Sequence, residues 1–369
     1  MNSEERGMLQ AVGSRFEIDG EFHEAHRIKV GHINETFAVA YHQCGELVRY
    51  VHQTVNTAVF KEPIPLMNNV VQVTQHLRER LKSQGTCDLD RRALQVISGR
   101  DGQPFHIDDQ GRFWRTFRFV ERVRTFEAAE TPAQAYQAGL AFGQFQSLLS
   151  DLPCQDLAVT IPDFHHTRKR FTHLQDAIAA DECNRAQSAA EAITFVLDQE
   201  SLVDTLLDAH ARGEIPERVT HNDTKFNNVM LDLENGNAMC VVDLDTVMPG
   251  LVLYDFGDMV RTTTSRTAED ETYLDRVEME LPLFAELARG YLESTRSFLT
   301  TKEKSFLVLS GTLITLTIGI RFLTDYLEGD HYFRVHRPDH NLDRCRKQFK
   351  LVRSIQEKSE AMQKLVDRV

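Results

Sequence analysis

Residues 219–246 constrain this chain most, because they place polar residues at both ends of a predicted β-hairpin. A polar loop (221–228) precedes a short strand and a predicted turn (232–237), and a second strand leads into Asp243 and Asp245. A hairpin brings its two ends together, so we expect these acids to converge on the loop. Carboxylates at close range repel unless a proton or cation lies among them. Hard oxygen ligands of this kind suit magnesium.

The same stretch has the layout that phosphoryl transfer requires. In that layout one Asp of a D-x-x-x-x-N loop orients the acceptor hydroxyl, while the Asn and a later strand-end Asp hold Mg²⁺ against the phosphates of ATP. The corresponding residues here are Asp223, Asn228 and Asp243. Each motif alone is a weak signal. Both together, in order and one hairpin apart, predict a magnesium-dependent site that uses ATP as co-substrate.

Several segments resemble the aminoglycoside phosphotransferase and choline kinase superfamily, relatives of the protein kinases, and within it the N-acetylhexosamine 1-kinases. The resemblance covers nearly the whole chain. It is carried by GHINETF (31–37), NTAVF (56–60), FHHTRKRF (164–171), VTHNDTKFNN (219–228), VVDLDTVMPG (241–250), DFGDMVR (255–261), RFLTDYLEGD (321–330) and HNL (340–342).

The resemblance implies an α+β, two-lobed protein-kinase-like fold, with a small antiparallel-sheet N-lobe and a larger, mainly helical C-lobe. It also implies a kinase that phosphorylates the anomeric 1-hydroxyl of an N-acetylhexosamine (GlcNAc or GalNAc). We expect residues 1–120 to form the nucleotide-binding lobe and 121–369 the catalytic and substrate-binding lobe. Hydrophobic periodicity predicts strands and one helix (63–82) in the first lobe. The helices predicted in the second lobe are 134–152, 163–180, 186–212 and 341–369.

Two segments of the first lobe are candidates for nucleotide binding. Gly31, in a turn between predicted strands, would let backbone N–H groups approach the phosphates. The run Phe119, Val120 and Glu121 lies where the lobes should join and would pair with adenine, as the resemblance implies. The third strand lacks the lysine that protein kinases place there, and Arg49 and Lys61 are candidates to replace it.

Beyond the hairpin, the string D-F-G makes Asp255 a candidate metal ligand. Asp243, however, ends the strand paired with the catalytic loop, so the metal role belongs to it. The resemblance implies that Asp255 instead supports the catalytic loop near His221. Asp245 is open to two roles, as ligand of a second ion or as a brace.

The resemblance also implies a set of contacts to the sugar. The substrate-binding residues would be His32, Asp223, Arg321 and Tyr332, with Asp325 behind them. The alternative for Arg321 is a structural ion pair with Asp325 or Glu328, because a guanidinium at the end of an apolar helix needs acceptors.

Composition limits the kinds of partner and the cellular compartment that we expect for this protein. The chain has 42 Lys and Arg against 55 Asp and Glu, a net charge of −13, which argues against nucleic-acid or anionic-membrane binding. The six cysteines form no C-x-x-C pair, and the N-terminal residues lack the apolar core of a secretory signal, so we expect a cytoplasmic protein. We expect the apolar run 306–322 to be a buried helix rather than a membrane span.

Three alternatives remain open on sequence. The acceptor could be an aminoglycoside, choline, homoserine or another sugar. The chain could be a nucleotide-binding pseudokinase, which only the missing lysine supports, or a divalent-metal binding protein without kinase activity. The sequence leaves the oligomeric state open.

Overall fold

The computed structural model describes residues 2–28 and 33–369, and it consists of a β-sheet lobe followed by a mainly helical lobe. The predicted two-lobed α+β fold is confirmed. The strands are β1 (Glu21–Ile28), β2 (Thr36–Gln43), β3 (Glu46–Val55), β4 (His106–Ile107), β5 (Phe113–Arg118), β6 (Val123–Arg124), β7 (Arg218–Thr220), β8 (Val229–Asp232), β9 (Ala238–Val241) and β10 (Met248–Gly250).

The helices surround these strands and make up most of the second lobe. They are α1 (Ser3–Gly13), α2 (Pro63–Ser83), α3 (Leu89–Arg92), α4 (Pro132–Leu148), α5 (Thr167–Ala180), α6 (Ala190–Leu197), α7 (Thr205–Ala211), α8 (Val252–Thr263), α9 (Leu281–Thr295), α10 (Thr301–Ser305), α11 (Leu307–Glu328) and α12 (His340–Asp367).

The first lobe is an antiparallel sheet in the order β1-β2-β3-β5-β4. Side chains alternate across β5, so Trp114 packs with α1 on one face while Phe113 and Phe117 pack with α2 on the other. The apolar run 94–98, which on sequence predicts a further strand, forms only an isolated bridge between Val96 and Phe117.

An apolar core connects the two lobes. Phe145 and Leu149, at the end of α4, belong to the same buried cluster as the inner face of α2. Leu244 and Val247, on either side of Asp245, lie in that cluster too. The segment that carries the acids is therefore anchored between the lobes.

The second lobe holds the predicted hairpin against a bundle of helices. β8 pairs with β9 through Val229–Val241 and Met230–Cys240, and β6 pairs with the outer edge of β8. By length and hydropathy α11 would qualify as a membrane span, but 89% of its apolar window is buried. It packs against α5, α8 and α12, which makes it a core helix, as predicted.

One helix prediction is wrong. The stretch 186–212 forms α6 and α7 rather than a single helix. α6 ends before the polar run that begins at Asp198, and the Arg168 guanidinium pairs with both Glu200 and Asp204 in the break. Asp and Ser favour helix ends over helix interiors, so this ion-pair network stabilises a connection there.

Candidate active site

The polar loop that follows β7 is fixed by hydrogen bonds to its own surroundings. Asn222 adopts a left-handed conformation with φ of 65°. Its side-chain amide donates to the carbonyl oxygens of Thr220 (3.3 Å) and Thr246 (3.0 Å). The Thr246 hydroxyl donates in turn to the His221 carbonyl at 2.7 Å. These bonds join the start of the loop to the segment that follows Asp245.

Asp255, in the first turn of α8, fixes the backbone at the start of the loop. Its two carboxylate oxygens accept the backbone N–H groups of His221 (2.9 Å) and Asn222 (2.7 Å), and Gln146 donates to it at 2.7 Å. Burial raises the pKa of Asp255, although His221 and these donors oppose the rise. The contact expected near His221 is present, but it runs through the loop backbone rather than the imidazole.

The imidazole of His221 instead connects the loop to the end of the second hairpin strand. Its Nε2 lies 3.0 Å from the Val242 carbonyl oxygen, and its Nδ1 accepts from the Asp223 N–H at 3.3 Å. The neutral tautomer protonated on Nε2 satisfies both contacts. The edges of Phe142 and Phe145 pack against the ring and fix its orientation.

Asp223, the predicted proton acceptor, is half-buried between two polar neighbours. Lys225 Nζ lies 2.9 Å from Asp223 Oδ1, and the Asn228 amide donates to the Asp223 carbonyl oxygen at 2.8 Å. Burial opposes ionisation, but the charge of Lys225, aided by His221 and Arg261, holds the pKa of Asp223 below its ordinary value. The side chain is therefore a carboxylate at neutral pH, the form that accepts a proton.

Asp243 follows β9 in a left-handed conformation with φ of 62°, which Asp tolerates better than most residues. The Val242 N–H donates to the Asn228 carbonyl oxygen at 2.9 Å, so the chain reaches Asp243 beside the catalytic loop. The side chain is exposed to solvent on one side. Partial desolvation by the neighbouring protein, with the carboxylates of Asp245 and Asp223, raises the pKa of Asp243 to about 7.

This set of oxygens fits a magnesium ion that arrives with a nucleotide. Asn228 Oδ1 and the Asp243 carboxylate accept no hydrogen bond from the residues described, and the raised pKa of Asp243 marks negative charge that a cation would offset. Within residues 2–28 and 33–369, no group of three or more His, Cys, Asp or Glu side chains is spaced for a metal. Mg²⁺ commonly takes one or two carboxylates and completes its shell with phosphate and water.

Asp245 does not share this open position. Its carboxylate is buried, with Oδ1 2.5 Å from Arg115 Nη1 and Oδ2 accepting from the Asn34 amide at 2.7 Å. Of the two roles open on sequence, these contacts match the brace. Asp245 lies close enough to raise the pKa of Asp243, but its hydrogen bonds go to the sheet lobe.

The segment between the lobes places the predicted adenine-binding residues at the end of the sheet. The Phe119 N–H donates to the Arg49 carbonyl oxygen at 3.1 Å, which extends the β3–β5 pairing, and Val120 is buried. The Arg49 guanidinium stacks 4.2 Å over the Phe119 ring and pairs with Glu121. Arg49 thus lies at the lobe junction rather than beside Asp243. Gly31 lies outside the described residues.

Arg321 lies among aromatic rings near the catalytic loop. Its guanidinium is 4.9 Å from the centre of Phe164, 5.4 Å from Phe333 and 5.6 Å from Tyr332, whose hydroxyl it contacts at 3.4 Å. His165, next to Phe164, is buried and its Nε2 lies 2.8 Å from the Asn222 carbonyl oxygen. Arg321 is thereby connected to the loop that carries Asp223.

The ion pair considered for Arg321 does not form. Asp325 accepts the backbone N–H groups of His331, Tyr332 and Phe333, at 2.9, 2.7 and 2.9 Å. Glu328 pairs with His173. No carboxylate among the described residues lies within 4.0 Å of Arg321. His32, the other predicted sugar contact, lies outside the described residues.

Comparison with known proteins assigns the chain to a family. A profile of the phosphotransferase enzyme family matches residues 24–289. The chain belongs to that family. Its fold is similar to that of choline kinase from Cryptosporidium parvum Iowa II, with a TM-score of 0.55 and 14% identity over 98% of this chain and 97% of the other. The GDP complex of aminoglycoside 2′-phosphotransferase-IIIa gives 0.50 and 13%, over 100% and 99%.

Sequence reasoning missed the roles of two residues of this phosphotransferase, Lys225 and Arg115, and it missed the contact that Asn34 makes with Asp245. Lys225 lies two positions after Asp223, within the motif itself, and was open to recognition. Arg115 carries a weaker signal, a charged residue between Phe113 and Phe117 on the buried face of a strand. Asn34 lies 211 positions from its partner Asp245, and no local pattern announces that contact.

Proposed function

We propose that this phosphotransferase is an ATP- and Mg²⁺-dependent cytoplasmic kinase of small molecules, which transfers the γ-phosphoryl group to the anomeric 1-hydroxyl of an N-acetylhexosamine. The acceptor would lie between Asp223 and the aromatic residues around Arg321, with Tyr332 and His32 as further contacts. The nucleotide would lie between the lobes, with its adenine at 119–121 and its phosphates beneath the turn that contains Gly31.

The observation that carries the acceptor class is the guanidinium of Arg321, which has no carboxylate partner among the described residues. Arg170 adds a second positive charge nearby, and its buried Nε also lacks a partner. Two such cations disfavour choline, aminoglycosides and free amino sugars, which are cationic themselves. They favour a neutral acceptor rich in oxygen, and N-acetylation is what makes a hexosamine neutral.

The proposed mechanism depends mainly on positioning and charge. Asp223 orients the anomeric hydroxyl and accepts its proton as the oxygen–phosphorus bond forms, while Lys225 supplies positive charge 2.9 Å from that carboxylate. Asn228 and Asp243 would hold Mg²⁺, which neutralises phosphate charge when bound. Asp255 and His221 keep the loop in place through the bonds described above.

A screen that measures ADP release tests this proposal. The acceptors would include N-acetylglucosamine, N-acetylgalactosamine, glucosamine, galactose, choline, homoserine and an aminoglycoside, with the phosphorylated position read by phosphorus–proton NMR. We expect an N-acetylhexosamine to give the highest kcat/KM and a 1-phosphate product. A cationic acceptor as the best substrate would contradict the proposal.

Arg321→Met provides the matched variant for the acceptor site. Loss of a hydrogen-bonded charge should raise KM for the sugar by about ten- to a hundredfold. The dissociation constant of Mg·ADP should stay at the wild-type value, since the substitution lies in the acceptor region. An unchanged sugar KM would remove Arg321 from the acceptor site.

A further inference from the structure

The carboxylate of Asp245 joins the two lobes at the edge of the active site. On one side it belongs to the helical lobe, in the 3₁₀ turn Leu244–Thr246 that begins directly after Asp243. On the other side both of its oxygens contact the sheet lobe, one through Arg115 of β5 and one through Asn34, just before β2. The side chains of Arg115 and Asp245 are 2% and 3% exposed, so water screens this ion pair poorly.

The sheet lobe holds Arg115 rigidly. Gln53, directly opposite on β3, accepts from both Nε (3.0 Å) and Nη2 (2.7 Å) of the guanidinium, and the Gln53 amide donates to Thr36 of β2. Nη1 is left for Asp245, with Met67 of α2 as its other neighbour. Arg115 thus connects three strands of the sheet to a single carboxylate of the other lobe.

Asn34 brings the predicted phosphate-binding turn into the same network. Its amide donates to Asp245, and its Oδ1 accepts the Asn56 N–H at 2.9 Å. Asn34 belongs to the segment 31–35 that we expect to cover the nucleotide phosphates. Asp245 is therefore two positions from Asp243 along the chain and in direct contact with Asn34.

We propose that Arg115 is a positioning residue for nucleotide binding, which acts through Asp245 to hold Asp243 at a fixed position relative to the sheet lobe. This inference rests on the proposed function. In protein kinases a third-strand lysine connects the sheet to the phosphates. Here the neighbouring strand provides the cation, and a carboxylate beside the metal ligand receives it. Arg115 is buried and its described contacts go to Gln53, Asp245 and Met67, so we expect it to act without touching the phosphates.

Calorimetric titration with Mg·ADP, without any acceptor, tests the inference in four variants. Arg115→Met leaves Asp245 buried and unpaired, and we expect it to weaken Mg·ADP binding about tenfold. Arg115→Lys keeps the charge but loses the fork of contacts with Gln53, so it should weaken Mg·ADP binding less than Arg115→Met does. Glu303→Gln breaks a buried ion pair with Arg218 that touches none of the residues assigned to the nucleotide, and should lower Tm without changing Mg·ADP affinity.

The double variant R115M/D245N separates positioning from plain stability. Replacing both charges removes the unpaired buried carboxylate, so Tm should recover relative to Arg115→Met. Mg·ADP affinity should not recover, because the connection between the lobes is gone. Recovery of both together, or wild-type affinity in Arg115→Met, would overturn the inference.

Failure of the proposed function has a different signature. If wild-type protein did not bind Mg·ADP at all, the kinase assignment would fall and the inference with it. If Mg·ADP binds but no N-acetylhexosamine is phosphorylated, only the proposed acceptor fails, and the order of affinities among the variants still decides the role of Arg115.

Discussion

At the scale of single residues, the candidate site places the carboxylates of Asp223 and Asp243 in different electrostatic surroundings. Asp223 keeps its negative charge because Lys225 lies 2.9 Å away, whereas desolvation, together with the carboxylates of Asp245 and Asp223, raises the pKa of Asp243 to about 7. These charge states suit the proposed roles of Asp223 as proton acceptor and of Asp243 as metal ligand. The sequence motif predicted both residues, but the opposite shifts of their pKa values depend on neighbours that the motif does not define.

Lys225→Met tests the first of these charges. Without the ammonium, Asp223 loses its closest countercharge and the reacting oxygens lose nearby positive charge, so kcat should fall by about 10²-fold. Lys225→Arg, which keeps the charge, should retain more activity. Steady-state kinetics at saturating acceptor provide the measurement. Equal activity of Lys225→Met and wild type would contradict the role given to this lysine.

Lys347 gives a prediction on stability and pH. It is 3% exposed on α12, and burial together with Arg261 lowers its pKa from 10.5 to about 8. Because the folded pKa is the lower one, the folded state releases this proton first, and the contribution of Lys347 to stability improves as pH rises from about 8 to 10.5. At pH 7 the buried charge is a cost, so Lys347→Met should raise the free energy of unfolding by about 2–3 kcal/mol.

Urea unfolding of wild type and Lys347→Met at pH 7 and pH 9.5 provides the check. We expect the difference between the two proteins to shrink at the higher pH. The charge of Glu269 opposes the fall in the pKa of Lys347. A Lys347→Met protein less stable than wild type at pH 7 would show that this attraction outweighs the cost of burial.

At the scale of elements, the hairpin was predictable because its contacts are local. The turn at 232–237 and the pairing of β8 with β9 follow from alternating apolar residues and turn formers within a short stretch. The break between α6 and α7 could not be predicted in this way, because the ion pairs there are made by Arg168 of α5, which is distant in sequence. The role of Asp255 was predictable only in part. The string D-F-G drew attention to the residue, but only the folded structure shows that Asp255 accepts hydrogen bonds from the backbone of the catalytic loop.

The packing of α8, which carries Asp255, on α11 depends on Gly257. A Cβ at this position would lie 2.4 Å from the Ser310 backbone oxygen, so Gly257→Ala should push the helices apart. We expect a loss of about 1–3 kcal/mol of stability by urea unfolding. Gly7→Ala, in α1 with open space around it, is the control and should stabilise by about 0.5–1 kcal/mol. Equal effects of the two substitutions would contradict the close packing.

At the scale of the whole molecule, the fold follows from the sequence, whereas the junction between the lobes does not. Apolar periodicity and the family resemblance predicted a sheet lobe and a helical lobe. The contacts of Asp245 with Arg115 and Asn34 join residues 130 and 211 positions apart, where no local pattern limits the pairing. The lobes also share the apolar core around Leu244 and Val247, so the position of the hairpin depends on both lobes at once.

A ligand that bridges the lobes should therefore stabilise the whole chain. We expect Mg²⁺ and ADP together, at about 100 times their dissociation constant, to add ~2.7 kcal/mol and raise Tm clearly. ADP with a chelator, or Mg²⁺ alone, should raise Tm less, because in the proposed site Asn228 and Asp243 would bind the metal together with phosphate. A shift with Mg²⁺ alone equal to that with Mg·ADP would instead favour a simple metal-binding protein.

The most direct measurement on the proposed chemistry is the turnover of Asp223→Asn alongside its affinity for Mg·ADP. The amide keeps the shape of the side chain but accepts no proton, so we expect affinity within about threefold of wild type and kcat lower by about 10²–10⁴-fold. Turnover within a few-fold of wild type would contradict the role of Asp223 and, with it, the mechanism built on the hairpin.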